Sequence, residues 1–149
     1  MEWVHEDAPV WNADKGRIVG GAPPGIFQLP AYADGERLPG DWWRVEDAGA
    51  VVAYGWMDTA WGDAEMLLAV DPGSHGRGVG TFVLDHLEVA AAERGLNYLY
   101  NVVRPTHPDH DRVTAWLKSR RFTGSSDGVL RRRARVDTPA SAPASPAAP

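Results

Sequence analysis

The stretch Val70-Asp71-Pro72-Gly73-Ser74-His75-Gly76-Arg77-Gly78-Val79-Gly80-Thr81 constrains this chain more than any other, because it reads as strand end, glycine-rich turn and helix start. Before it, Ala64 to Val70 is a near-continuous apolar run of strand length. After it, Val79, Phe82, Val83, Leu87 and Ala90 recur at the intervals of one helix face, and Gly95 stands where a cap belongs. Gly76, Gly78 and Gly80 leave no side chains between the backbone N–H groups and whatever occupies the turn. Those N–H groups open a helix, whose positive dipole end favours an anion. A pyrophosphate suits such a turn.

Two familiar phosphate loops do not fit. Gly73 and Gly78 have the spacing of a P-loop, but Val79 stands where its phosphate-binding lysine belongs. The dinucleotide fingerprint starts at Gly76 and Gly78 and then meets Thr81 in place of its third glycine.

The segment His75-Gly76-Arg77-Gly78-Val79-Gly80 resembles the acetyl-CoA loop of the GCN5-related N-acetyltransferases (GNAT), Arg/Gln-x-x-Gly-x-Gly/Ala after an apolar strand that ends in Val-x-Pro. His75 departs from the usual Arg or Gln. The resemblance runs on through a strand, Asn97 to Val103, and a helix ending in Ala115-Trp116-Leu117-Lys118-Ser119-Arg120-Arg121-Phe122, which is similar to the family's Ala-x-x-Tyr-x-x-x-Gly-Phe. It covers about residues 42 to 135. It implies an α/β (α+β) fold, a central mixed β-sheet flanked by helices, here with a reduced, loop-rich amino-terminal region. It also implies acetyl-CoA as cosubstrate, held by Leu68, Ala69 and Val70 of the strand and by His75, Gly76, Arg77, Gly78, Val79, Gly80 and Thr81 of the turn.

With 149 residues, 44% of them hydrophobic, the chain can bury one sizeable core. It has no cysteine, so disulfides, thiolate zinc sites and cysteine nucleophiles are excluded. The start lacks the pattern of a leader, and no apolar run approaches the ~18 residues of a membrane span, so a cytoplasmic protein is expected. Residues 1–71 carry 13 acidic against 4 basic residues, and residues 72–149 carry 7 against 11. On the family reading the basic half meets anionic CoA and the acidic half meets a small or cationic amine; on the alternative reading both are solvated surface. The cluster Arg131-Arg132-Arg133 with Arg135 lacks the interleaved aromatics of a nucleic-acid surface.

Along the chain, prolines and glycines in residues 1–41 allow no long helix, only short strands near Trp3-Val4 and Arg17-Val19. The GNAT-like core is expected over residues 42–136. It starts with a strand hairpin, Trp42 to Asp47 and Ala50 to Met57, and a third strand over Asp63 to Val70. A helix from about Gly78 to Arg94, a strand Asn97 to Val103, a helix from Asp109 to Arg120 and a closing strand from Gly128 to Val136, paired near Phe122, complete it. Asp137 to Pro149 reads as a disordered Ala/Pro/Ser tail. Trp42, Trp43, Trp56 and Trp61 are expected mostly in the core, one or two walling an acceptor pocket.

Acetyl transfer needs a neutral amine, a polarised thioester carbonyl and a proton for the leaving thiolate. Glu65 resembles the acidic residue many family members use as a base; on the bland reading it is a solvated strand residue, and Asp63 is the reserve. A backbone N–H between Leu68 and Val70 polarises the carbonyl, as the resemblance implies. Leu117 falls where the family commonly has a tyrosine acid, so Tyr98 or Tyr100, or solvent, would take that role. His107 and His110 are too few to hold a metal, and none is expected. An acyl-CoA-binding module without turnover is the alternative to an enzyme. Because the family usually builds one acceptor wall from two amino-terminal helices, that wall is here a loop, a second copy of the chain or another protein, with a homodimer favoured.

Overall fold

A computed structural model describes residues 1–124 and 128–134. Among the described residues seven strands form one sheet: β1 (Glu2–Glu6), β2 (Asp41–Asp47), β3 (Ala50–Ala60), β4 (Asp63–Val70), β5 (Tyr98–Asn101), β6 (Thr123–Gly124) and β7 (Leu130–Arg133), in the order β1-β2-β3-β4-β5-β7-β6. Only β4 and β5 run parallel, and the helix between them, α2 (Val79–Glu93), is the crossover that such a pair requires. Both hairpins turn on two residues of positive φ, Ala48-Gly49 and Trp61-Gly62, the turn class that suits twisted strands. The hairpins and β4 lie where the residue pattern puts them, with β3 running on to Ala60.

Alternation along the strands divides the side chains between two cores. Trp43, Val45, Ala53, Met57, Ala64, Met66 and Leu99 face α2 and α3 (His110–Ser119), and meet Val83, Leu84, Leu87 and Leu117. Gly55 lets α2 approach, since a Cβ there would stand 2.7 Å from Val83. On the opposite face Trp42, Tyr54, Trp56 and Ala69 are covered by Ile18, Val19 and Leu38. Trp42 and Trp56 stack at 4.4 Å, and Phe27 packs on Trp56 at 5.2 Å.

The amino-terminal expectations need two corrections. The strand near Arg17-Val19 is instead a short helix, α1 (Ala13–Ile18), because the Asn12 side chain accepts from Lys15 N at 2.9 Å and so supplies a cap. Trp61 is fully exposed rather than core, since it occupies the tip of the β3–β4 turn. Downstream, β5 is shorter than expected, and the short partner of β7 is Thr123–Gly124, with Phe122 buried beside it. The tail from Asp137, and the end of the closing strand at Arg135-Val136, lie outside the described residues. No helix among the described residues is long and apolar enough to cross a membrane.

Candidate active site

The turn after β4 is a cradle of free donors. A single 3-10 turn, Pro72–Ser74, follows the strand, and α2 then starts at Val79 with Gly78 at its N-cap and no side-chain cap. The N–H groups of Val79, Gly80 and Thr81 precede the first intrahelical bond, Phe82 N to Gly78 O, and so have no helical partner. Each glycine has its own reason to be there. Gly76 and Gly78 have φ of +76° and +78°, where a side chain would be strained, whereas a Cβ on Gly80 would press on Trp116 at 3.2 Å. His75 donates from Nε2 to Val70 O at 3.0 Å and thereby shapes the turn.

Beside the cradle, β4 and β5 come apart. Their ladder comprises only Ala64↔Leu99 and Glu65↔Tyr100, while β4 remains paired with β3 as far as Val70. Asn101 Nδ2 donates to Met66 O at 2.9 Å, so a side chain takes over where the ladder ends. Asp71 N donates to Val52 O. By the alternation of an antiparallel ladder, the N–H groups of Glu65, Leu67 and Ala69 then face β3, and those of Leu68 and Val70 face the gap. The gap opens into a cavity of about 190 Å³ lined by Glu65 to Leu68, Asn101 to Arg104, His107 and residues of α3. The cradle opens into a second, of about 550 Å³, and Val113 and Trp116 of α3 line both.

The residues singled out from sequence separate accordingly. Val70, His75, Gly76, Gly78, Val79, Gly80 and Thr81 line the larger cavity; Leu68 and Glu65 line the smaller. Ala69 lies in the second core with its N–H toward β3, and Arg77 pairs with Asp47 at 2.9 Å, away from both cavities. Tyr100 stands directly opposite Glu65. Burial first, and then the charges of Glu65, Asp63 and Asp58, push its phenol above the ordinary range, so it holds its proton at neutral pH. Tyr98 lies two residues further back along β5, beneath the Arg133 guanidinium at 5.9 Å. Leu117 is buried and lines the smaller cavity. His107 Nδ1 accepts from Asp109 N, and no group of three or more His, Asp or Glu gathers as a metal site among the described residues.

Sequence reading missed Arg112 and Arg120, which bring positive charge to the larger cavity from α3. Arg120 is held by Thr81 Oγ1 at 3.0 Å. It also missed what covers the second core: Phe27, Leu29 and Tyr32 pack on it, and Thr106 Oγ1 donates to Gly25 O at 2.9 Å. The chain's own loop thus lies against this face of the sheet.

No curated protein matches the chain by sequence. Its fold is shared with N-acetylglutamate synthase from Neisseria gonorrhoeae complexed with coenzyme A and L-arginine, at 19% identity and a TM-score of 0.64 over 88% of this chain and 33% of that one. It is also shared with ribosomal-protein-S18-alanine N-acetyltransferase from Escherichia coli, at 16% identity and a TM-score of 0.53 over 91% and 84% of the two chains. The phosphinothricin acetyltransferase from Sinorhizobium meliloti in complex with AcCoA matches at 19% identity and a TM-score of 0.50 over 64% and 61%. A model of the Acetyltransferase (GNAT) family matches residues 22–115, which hold the cradle, the gap and most of α3, and the chain belongs to that family.

Proposed function

We propose that this chain transfers an acetyl group from acetyl-CoA to a small primary amine by direct attack. The observation that carries this reading is the pair of adjoining cavities, one lined by the free N–H groups of the cradle and the other by a carboxylate. The cradle N–H groups from Gly76 to Thr81 hold the pyrophosphate, and Arg112 and Arg120 add positive charge beside it. Trp116 and Val113 flank the pantetheine arm between the two cavities. The free N–H of Leu68 holds the negative charge that develops on the thioester oxygen.

Glu65 takes the proton of the acceptor ammonium, directly or through one water. The neutral amine nitrogen then bonds to the carbonyl carbon, the C–S bond breaks, CoA departs as a thiolate, and the nitrogen releases its second proton to solvent to leave the amide. Leu117 cannot protonate it, so the proton comes from Tyr100 or from solvent; Tyr98, beneath Arg133, is the more remote phenol. Two of the structural neighbours are named for N-acetyl chemistry, which supports an amine acceptor.

Saturating acetyl-CoA should raise the melting temperature, and amines should release free CoA thiol. Glu65→Gln should lower kcat by about 100-fold or more while leaving the acetyl-CoA shift intact, as expected for loss of a general base. A thermal shift without thiol release from any amine would support a binding module instead. Absence of the shift would refute both readings.

A further inference from the structure

Glu65 does not stand alone in the smaller cavity. Arg104 and His107 line the same space from the loop between β5 and α3. That loop is braced just after the arginine: His107 N donates to Arg104 O, and Thr106 is tied to Gly25. Arg104 is half-buried, and among the described residues its guanidinium has no ion pair or hydrogen bond. His107 Nδ1 already accepts from Asp109 N, which leaves the ring proton on Nε2 as a free donor. Ile26, Phe27 and Leu67 supply apolar surface in the same cavity.

A half-buried guanidinium with no partner becomes costly once a ligand excludes water, unless that ligand brings an anion. The coenzyme supplies none here, because its phosphates belong to the cradle and its pantetheine arm is neutral. The anion must come with the acceptor. Resting on the acetyl-transfer reading above, we infer that the acceptor is a small zwitterion, an α-amino acid with an apolar side chain, its ammonium at Glu65 and its carboxylate at Arg104 and the His107 Nε2–H. Two opposite charges within one cavity of about 190 Å³ suit the short spacing of an amino acid. A polyamine would set a second positive charge against Arg104.

The test compares L-leucine, L-methionine and L-phenylalanine with their carboxamides, and with putrescine and spermidine. Binding is followed calorimetrically in the presence of CoA, and turnover by thiol release. The free acids should be preferred over the amides by about 100-fold in affinity and in kcat/KM, and Arg104→Gln should abolish that preference without changing the acetyl-CoA thermal shift. Equal binding of acid and amide by the unaltered protein overturns the inference, and so does preference for a polyamine. An Arg104→Gln variant that weakens acids and amides alike overturns it too. Failure of acetyl-CoA to shift the melting temperature strikes the function proposed above instead, since the acid-versus-amide binding comparison is decided without turnover.

Discussion

The two faces of the sheet are covered by different elements. On one face α2 and α3 close a core in which Val83, Leu84 and Leu87 are fully buried. Both helices end in the same way. Leu96 N returns to Ala91 O across Gly95 at φ +72°, and Phe122 N returns to Leu117 O across Arg121 at φ +70°. On the opposite face a six-residue helix and a loop are pinned by a buried charge cluster. Lys15, 1% exposed, donates to Glu6 at 2.6 Å, Glu6 also meets Arg44 at 3.3 Å, and the ammonium lies 4.8 Å from the Tyr54 ring centroid. A buried ion pair adds little net stability, yet it selects one arrangement because a misplaced charge would be left without a partner. Both faces therefore bury apolar area together with an ion pair, Glu88 with Arg132 on the α2 side and Lys15 with Glu6 on the other, and they differ in what the pair holds: a long helix on one side, a six-residue helix and a loop on the other.

The contrast can be broken from either side. Lys15→Ala strands Glu6 next to aromatic rings and should destabilise the protein by about 3 kcal/mol in urea titration, a value moderated by Arg44. Lys15→Met, which keeps the packing over Trp42 and Tyr54, should cost less than the alanine. Gly78→Glu acts on the other side. It puts a side chain at φ +78° and a negative charge at the helix start, and should weaken acetyl-CoA binding by about 100-fold, read by calorimetry, with the opposite face unaffected. Arg121→Gly should have the smallest effect, within about 1 kcal/mol of neutral in thermal melts. Relief of the left-handed conformation offsets loss of the 2.9 Å bond to Glu88, which keeps Arg132 as a partner.

These differences explain what was legible in the residues. The β4–turn–α2 unit was readable because its signals are local: apolar runs of the right period, glycines at positive φ and a glycine helix cap. The helix at Asn12 was not, since six residues between glycines and prolines show no period and the cap is a single side chain. Trp61 was misjudged because composition places tryptophan inside, whereas a two-residue turn holds it outside. Arg112 and Arg120 lie on an ordinary amphipathic helix, and nothing in their spacing points to a cradle some forty residues earlier.

The hairpin and third strand, the glycine-rich turn, the periodic helices and the family follow from the chain by itself, because each rests on contacts among residues a few positions apart or on motifs of fixed spacing. Tertiary structure alone decided that β4 and β5 part after Glu65↔Tyr100, that Ala69 turns away while Leu68 faces the gap, and that Arg104 shares a cavity with Glu65. Those outcomes depend on register. A shift of one residue in the ladder would exchange every side chain and N–H between the two sides, and register is set by the packing of both cores at once rather than by any single stretch.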